Sequence, residues 1–538
     1  MATAATPEKL RTSDAKVIAA SSLGTMFEWY DFFLYGLLAT NISAQFFSGV
    51  NETTSFILAL AAFAAGFAVR PFGALVFGRV GDIVGRKNTF LVTMSIMGAS
   101  TFCVGLLPSY ATIGVAAPLL LVTLRLLQGL AIGGEYGGAA IYVAEHAPQH
   151  RRGFYTSFIQ TNSTLGLFAA VLLVIALRGT MDPDDFAAWG WRLPFLLSAV
   201  LLAISLWIRL QLAESPVFQR MKEEGTTSKA PLSEAFAKWG NLKWVIVALL
   251  GAVAGQATIW YAAQFYALFY LERILKVDAE TTNILIAAGL AIGTPLYLVF
   301  GWLSDKLGRK RVIMAGMALG VVSLSPLFGA LTTAANPALA AASERAPVTV
   351  MADPATCSIQ FDPIGKATFD KTGCDVAKST LAKAGIPYVN EPQGDGSITI
   401  GERRIEAGDL ADYGERIMAA VTEAGYPSEA DPAQVNTPLV IAILVALLVP
   451  VTMTYGPLAA LLVELFPSRV RYSALSLPYH IGNGWFGGFV PTIAFATVAA
   501  TGNIYAGLWY PVGVAVMTLI VGVLFLPETF RRTVDHNN

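Results

Sequence analysis

Apolar residues fall along this chain in long runs, near 17–44, 54–77, 88–107, 117–144, 154–177, 193–211, 243–271, 283–303, 312–332, 437–463, 473–500 and 505–526, with charged residues gathered between them. Roughly 20 consecutive apolar residues carry a helix across a bilayer core, so the pattern predicts twelve transmembrane helices. The first run contains Glu28 and Asp31, follows a charged stretch and lacks a small-residue cleavage pattern. It is read as a retained helix and not as a cleaved signal peptide.

The polar stretches repeat. Gly78-Arg-Val-Gly-Asp82-Ile-Val-Gly85-Arg86-Lys87 after the second run returns as Gly301-Trp-Leu-Ser-Asp305-Lys-Leu-Gly308-Arg309-Lys310 after the eighth, 223 residues on. Glu145-His-Ala-Pro148 returns as Glu464-Leu-Phe-Pro467 at an offset of 319, and Glu214 matches Glu528 at 314. The chain therefore reads as a duplicated six-helix unit with about 91 to 96 residues inserted after Lys310 and before Glu464. The expected organisation is an N-terminal half at 1–215, a cytoplasmic linker at 216–242, helices seven to nine at 243–334, an insertion at 335–435 and helices ten to twelve at 436–538.

Inside the insertion, Asp375–Ala384 and Asp409–Ala424 read as helices stopped at Gly385 and Gly425. Ser397–Ile400 and Arg403–Ile405 flank Gly401-Glu402 as a short hairpin. A small α+β cap is expected. Cys357 and Cys374 both fall here, whereas Cys103 lies in the third run. An outer-face cap with little core gains from a disulfide, so Cys357 and Cys374 are expected to be bridged. Two cysteines without a nearby histidine cannot complete a metal site.

Composition agrees with a membrane protein: 55% of the 538 residues are hydrophobic and 14% charged, with a mean hydropathy of +0.57. The net charge of -1 hides a partition, because residues 344–434 carry fifteen acidic against eight basic side chains. The basic residues flank the apolar runs, at Arg79, Arg86, Lys87, Arg151, Arg152, Lys306, Arg309, Lys310, Arg311, Arg469, Arg471, Arg531 and Arg532. Cytoplasmic loops are the basic ones. Both termini are thus expected in the cytoplasm and 335–435 outside a cell inner membrane. The cations form no continuous patch, which speaks against nucleic acid.

The paired Gly-x-x-x-Asp-x-x-Gly-Arg-Lys motifs resemble the signature of the major facilitator superfamily. Met26-Phe-Glu28-Trp29-Tyr30-Asp31-Phe-Phe-Leu-Tyr35-Gly36, Arg70-Pro71, and Arg125-Leu-Leu-Gln128-Gly129-Leu-Ala-Ile-Gly133-Gly134-Glu135-Tyr136-Gly137-Gly138 resemble, more particularly, the metabolite:proton symporter family. The resemblance covers both halves and excludes 335–435. It implies an all-α membrane protein of two six-helix bundles, working by alternating access. It further implies uptake of a small polar metabolite with protons, no cofactor, a lipid surround and a monomeric transport unit. The substrate expected is an organic acid, a di- or tricarboxylate; a proline or betaine osmolyte is the alternative, as is a transporter-like receptor.

An ionisable side chain inside a bilayer is costly unless paired or hydrated. Glu28 and Asp31 share a helix face; so close, they repel, which favours one of them holding a proton, and both are read with Glu135 as proton-coupling candidates. Structural hydrogen-bonding acids are the alternative. Arg70, before a helix-breaking proline, and Arg125 are candidates for gripping an anionic substrate with their forked donors; ion pairing, for Arg70 with Glu28 or Asp31, is the other reading. Arg125 and Glu135 are about 15 Å apart by helix rise, too far to pair. Gln128, Tyr261, Gln264, Tyr455, Tyr479 and Asn483 are candidate cavity-lining groups, with Trp260, Tyr266, His480 and Trp485 among the same apolar neighbours. Gly78, Asp82, Gly85, Arg86, Lys87, Asp305, Gly308, Arg309 and Lys310 are read as gating residues, with orientation of the helices as the bland alternative. No nucleophile elbow, Walker loop or zinc-spaced group appears in the loops, so an enzyme is not expected.

Overall fold

The structure, a computed structural model, describes residues 12–49, 52–134, 136–210, 219, 222–224, 230–353, 357–358 and 369–532. The first part of the expected linker lies largely outside them, and its end, 230–242, is described. Among the described residues eleven helices are long and apolar enough to cross a membrane: Leu58–Ile83, Lys87–Leu106, Ala116–His146, Gln149–Thr180, Gly190–Ile208, Trp239–Ile274, Ala279–Leu307, Arg309–Ala335, Thr437–Leu465, Arg471–Thr501 and Ala506–Phe525. The helix Thr12–Leu37 precedes them. With it as the first span and the others as spans two to twelve, the molecule is an all-α membrane fold of two six-helix halves. They meet along two seams, span two against span eleven and span five against span eight.

The repeated motif has a backbone reason. Gly85 and Gly308 sit between consecutive helices at φ 119° and 109°, a region that side-chain-bearing residues rarely adopt. Each reverses the chain at the end of span two or eight, so the next helix starts at once with its basic residues. A Cβ on Gly308 would also lie 2.2 Å from the Glu528 carboxylate. Span seven departs from regular α-helix in π-helical segments at Leu249–Val253, Ala262–Tyr266 and Tyr270–Ile274, and span eleven does so at Gly482–Gly487. Such segments widen a helix locally and gather at functional sites.

Between spans nine and ten stands an α+β cap. Strands β1 (Val348–Ala352), β2 (Val389–Glu391), β3 (Asp395–Ile400) and β4 (Arg403–Ile405) form one sheet in the order β2-β1-β3-β4. β1 and β2 run parallel, joined through the helix Gly373–Ala384, and the β3-β4 hairpin turns at Gly401, where φ is +59°. Val348, Val350 and Ala352 alternate into the core, where the helix Gly373–Ala384 packs on β1 and β3 and the helix Leu410–Glu423 packs on that helix and on β3, burying Tyr413, Ile417 and Val421. Thr372 and Asp409 cap the two helices, so the first starts two residues before the acidic position that marked it in the sequence. Cys357 is bonded to Cys374.

The cap's backbone is fastened to the C-terminal half. Ala430 N donates to Lys276 O (3.0 Å), Tyr388 N to Gly502 O (3.0 Å) and Asn436 N to Ala334 O (2.9 Å), while the Tyr388 ring lies on Gly502. Asn336 Nδ2 adds a bond to Leu275 O at 2.9 Å.

Candidate functional site

Pro71 leaves span two without an amide donor, and the helix breaks at Val69. Phe72 N turns to Val69 O, and the carbonyl thus freed, Ala68 O, accepts from Trp485 Nε1 of span eleven at 2.9 Å. The break carries Arg70 into the space between the halves, fully buried. Its guanidinium lies 4.5 Å from the Phe32 ring centroid, 4.6 Å from Phe67 and 5.1 Å from Trp29. None of its three nitrogens makes a full hydrogen bond among the described residues; the Tyr261 hydroxyl comes within weak hydrogen-bonding reach, and those of Tyr455 and Tyr479 stand about it.

Arg125 shares the Phe32 ring at 4.5 Å and also stacks on Tyr35 (4.5 Å) and Phe63 (5.3 Å). The two positive charges therefore lie within twice that distance of each other. Arg125 is engaged in part: Nη1 donates to Gln128 Oε1 at 2.6 Å and to Phe32 O at 3.5 Å, and Gln128 passes the chain on to Thr101 Oγ1 at 2.8 Å, while Nε and Nη2 meet no partner among the described residues. Arg125 thus has one partner on another helix and a neutral one on its own. The close approach of spans two and four depends on glycine, since a Cβ on Gly129 would lie 1.8 Å from Gly66 O and one on Gly133 would lie 2.3 Å from Arg70 O.

The C-terminal half faces this pair with buried amphipathic side chains. Tyr455 and Tyr479 share a hydroxyl hydrogen bond, and Asn483 Nδ2 donates to the Tyr479 carbonyl at 3.1 Å. Both side-chain polar atoms of Gln264, Gln256 and His480 are buried without a hydrogen bond among the described residues. Buried polar groups are ordinarily satisfied; orphans such as those of His480, whose charge state Arg70 influences, suit a site completed by a polar ligand. Trp260 Nε1 and Thr164 Oγ1 both donate to the Tyr297 hydroxyl at 3.1 Å. Tyr266 lies apart, donating to Ile504 O at 3.5 Å.

The two acids of span one have different neighbours. Asp31, buried, accepts from Ser198 of span six. Glu28, also buried, lines a small cavity with Thr25, Trp29, Ile132 and Tyr136. No hydrogen bond from Arg70 or Arg125 reaches either of them among the described residues. Glu135 lies outside the described residues, as does the Arg86 side chain.

The halves are joined on both sides of the arginines. Toward the cap, Phe33 packs on Trp260 (5.3 Å) and Phe265 (5.0 Å), Phe67 meets Tyr261 edge-on (5.2 Å), and Arg273 Nη2 donates to Thr40 Oγ1 at 2.9 Å. Toward the repeated motifs, Tyr136 lies flat on Tyr479, centroids 3.4 Å apart and planes at 3°. Tyr472 donates to Gly134 O. The space around Arg70 is enclosed.

The motif residues form a crossed lock. Asp305 of the C-terminal half accepts from Gly153 N and Phe154 N, each at 2.8 Å, at the start of span five. Asp82 of the N-terminal half accepts from Ser473 Oγ (2.7 Å) and Ser473 N (3.3 Å), at the start of span eleven, with Gly78 beside it. Each acid thus sits at the positive end of a helix belonging to the other half. Arg152 pairs with Glu464 (3.0 Å) and Arg471 with Glu145 (3.3 Å), a reciprocal exchange between the repeats. Arg309 bridges Asp305 (2.7 Å) and Glu464 (3.2 Å). Lys87 and Lys310 are tied to backbone carbonyls, Leu210 O and Val523 O. Glu145, Arg152, Glu464 and Arg471 were not among the expected gating residues; the offset of 319, which maps Glu145 onto Glu464 and Arg152 onto Arg471, is the signal that finds them.

A family model described as "Sugar (and other) transporter" matches residues 16–235 and 414–538, and another, "MFS/sugar transport protein", matches 139–351. The shikimate transporter of Escherichia coli (strain K12) is 36% identical over 329 residues, 60% of this chain and 74% of that protein. The proline/betaine transporter of Salmonella typhimurium (strain LT2) is 37% identical over 324 residues, 58% of this chain and 64% of its own, just under two thirds of its length. Among solved structures, the MFS proton:xylose symporter bound to 6-bromo-6-deoxy-D-glucose superposes with a TM-score of 0.62 at 15% identity, over 98% of each chain. A partially occluded, inward-open form of the xylose transporter from E. coli gives 0.59 at 16%, over 97% of this chain and 100% of that one.

Proposed function

The chain belongs to the sugar (and other) transporter family of the major facilitator superfamily, and on that premise we propose that it carries a small hydroxylated monocarboxylate inward together with protons. The observation that carries this reading is Arg70, buried between the halves, whose forked donors make no full hydrogen bond among the described residues and lie near the hydroxyls of Tyr261, Tyr455 and Tyr479. A carboxylate matches that fork in charge and geometry, and the hydroxyls around it suit a polyhydroxylated body. Arg70 has all three nitrogens without a full hydrogen bond, whereas Arg125 is held through Nη1 by Gln128 and Phe32 O and keeps only Nε and Nη2 without a partner among the described residues. That favours one carboxylate over the di- or tricarboxylate expected from the sequence. The E. coli shikimate transporter, by its name, takes a substrate of this kind.

Protons are the coupling ion in this reading, with Glu28 and Asp31 as carriers. The basic motif face lies in the cytoplasm, which sets the cap outside. The halves rock about the enclosed site, held shut on the cytoplasmic side by the crossed acids and arginines. The aromatic walls also suit the onium of an osmolyte, and the Salmonella relative is named for proline and betaine. Thermal unfolding of the purified chain with shikimate, citrate, proline and glycine betaine separates the two. Shikimate at a hundred times its Kd is expected to stabilise by about 2.7 kcal/mol, and Arg70→Lys to abolish the shift. A shift with proline or glycine betaine and none with shikimate would replace the acid by an osmolyte.

A further inference from the structure

We propose that Tyr136 is the coupling residue, the side chain that transmits the state of the Glu28 cavity across the interface between the halves to the wall of the Arg70 site. This rests on the reading of the chain as a proton symporter with its anion at Arg70.

Tyr136 opens the second segment of span four, Tyr136–His146, just past the closure of span eleven on Gly134. It has three attachments. Part of its side chain walls the cavity of Glu28, together with Thr25, Trp29 and Ile132. Its ring lies flat on Tyr479 at 3.4 Å. Its hydroxyl accepts from Gln160 Nε2 of span five at 2.6 Å, which fixes the ring's attitude. Tyr479 in turn shares its hydroxyl hydrogen bond with Tyr455, beside Arg70. Trp29 also touches both places, under Arg70 and in the cavity wall, but within one half. The Tyr136–Tyr479 stack crosses between the halves, so it must part when they separate on the motif face.

The physical link is hydration. Whatever partners it keeps, a carboxylate draws more water when charged than when neutral, and the small cavity that Glu28 shares with Thr25, Trp29, Ile132 and Tyr136 is where that water would enter. With Glu28 charged, water entering the cavity displaces the Tyr136 ring and the stack is lost. With Glu28 neutral, the cavity stays small and the stack closes the site from below. The other ionisable groups near the ring act on the same balance: Asp31 on span one, held by Ser198; Arg70 beyond Trp29; and His480, edge-on to Tyr136 at 6.4 Å and to Tyr479 at 5.1 Å.

The test uses the full chain in proteoliposomes with an internal pH dye, shikimate as the probe, and Tyr136→Phe, Tyr136→Leu and Tyr136→Met. Two fluxes are read: shikimate counterflow, which needs no coupling, and proton entry driven by shikimate. Tyr136→Phe, which keeps the ring, is expected to retain both. Tyr136→Leu is expected to keep counterflow within about threefold while shikimate-driven proton entry and accumulation fall at least about tenfold. Tyr136→Met, unbranched and of much the same volume as leucine, must uncouple likewise and stands in if the leucine variant does not fold. Equal loss of counterflow and proton entry would reduce Tyr136 to a packing residue and overturn the proposal, as would undiminished accumulation in Tyr136→Leu. A wild-type protein that moves no shikimate, or moves it without protons, would overturn the functional reading itself.

Discussion

Asp305→Asn removes one charge from the lock and leaves the shape of the side chain unchanged. In the structure Oδ1 accepts from Gly153 N and pairs with Arg309 Nη1, while Oδ2 accepts from Phe154 N. An asparagine oxygen can keep the first amide, but its NH₂ then faces the second as donor against donor. One charge-assisted hydrogen bond is lost, worth about 2 kcal/mol, together with the attraction of a carboxylate for a helix N-terminus, about 1 kcal/mol. Both act between the halves. The closed-to-open ratio on the motif face should therefore fall about a hundredfold, at about 1.4 kcal/mol per factor of ten. Spin labels on Arg79→Cys and Lys306→Cys, in a Cys103→Ser background, report that opening as a distance distribution by pulsed electron paramagnetic resonance. A population shift from the short to the long distance is expected. An unchanged distribution would mean that the bonds between Asp305 and span five do not hold the halves together.

Arg70→Lys keeps a positive charge but gives up the fork and the stacking on Phe32, Phe67 and Trp29; shikimate uptake should fall at least about a hundredfold, as when a bidentate partner to a buried charge is lost. Uptake within a few-fold of wild type would remove Arg70 from the site. Glu28→Gln with Asp31→Asn should leave shikimate counterflow while abolishing accumulation driven by a pH gradient; a double variant that still concentrates shikimate would sink the proton assignment. Cys374→Ser opens a loop of 17 residues and should cost the cap about 3 kcal/mol, read as faster hydrogen exchange in β1 and β3. Unaltered exchange would show the cap to be held by its packing alone.

The architecture was legible because burial in a membrane writes a coarse signal: runs of apolar residues, a repeat marked by Asp82 and Asp305, and an offset that changes where the insertion enters. The β3-β4 hairpin and the bond between Cys357 and Cys374 followed from turn chemistry and compartment. The centre was harder. Phe32, Phe67 and Trp29 support the two guanidiniums, yet in a span where nearly every position is apolar an aromatic ring carries no periodic mark of its neighbour. Arg125 looked as available as Arg70, and only the fold shows that Gln128 already holds one of its three nitrogens. Glu28 and Asp31, three residues apart, were read as one mutually repelling unit, but their neighbours outside span one belong to span four and span six respectively, a matter of how two helices are arranged about a third. Tyr136 and Tyr479 meet across 343 positions of chain, a pairing that no local pattern encodes.

The cap has a mechanical consequence. Its bonds to Lys276, Leu275, Ala334 and Gly502 run into spans seven, nine and eleven, so whatever tilts the C-terminal bundle tilts the sheet with it. A dye or a rigid binding protein attached to β3 would turn that small angle into a visible swing at the end of a long pointer. The transport cycle of one molecule could then be timed from a position remote from every residue that handles the cargo.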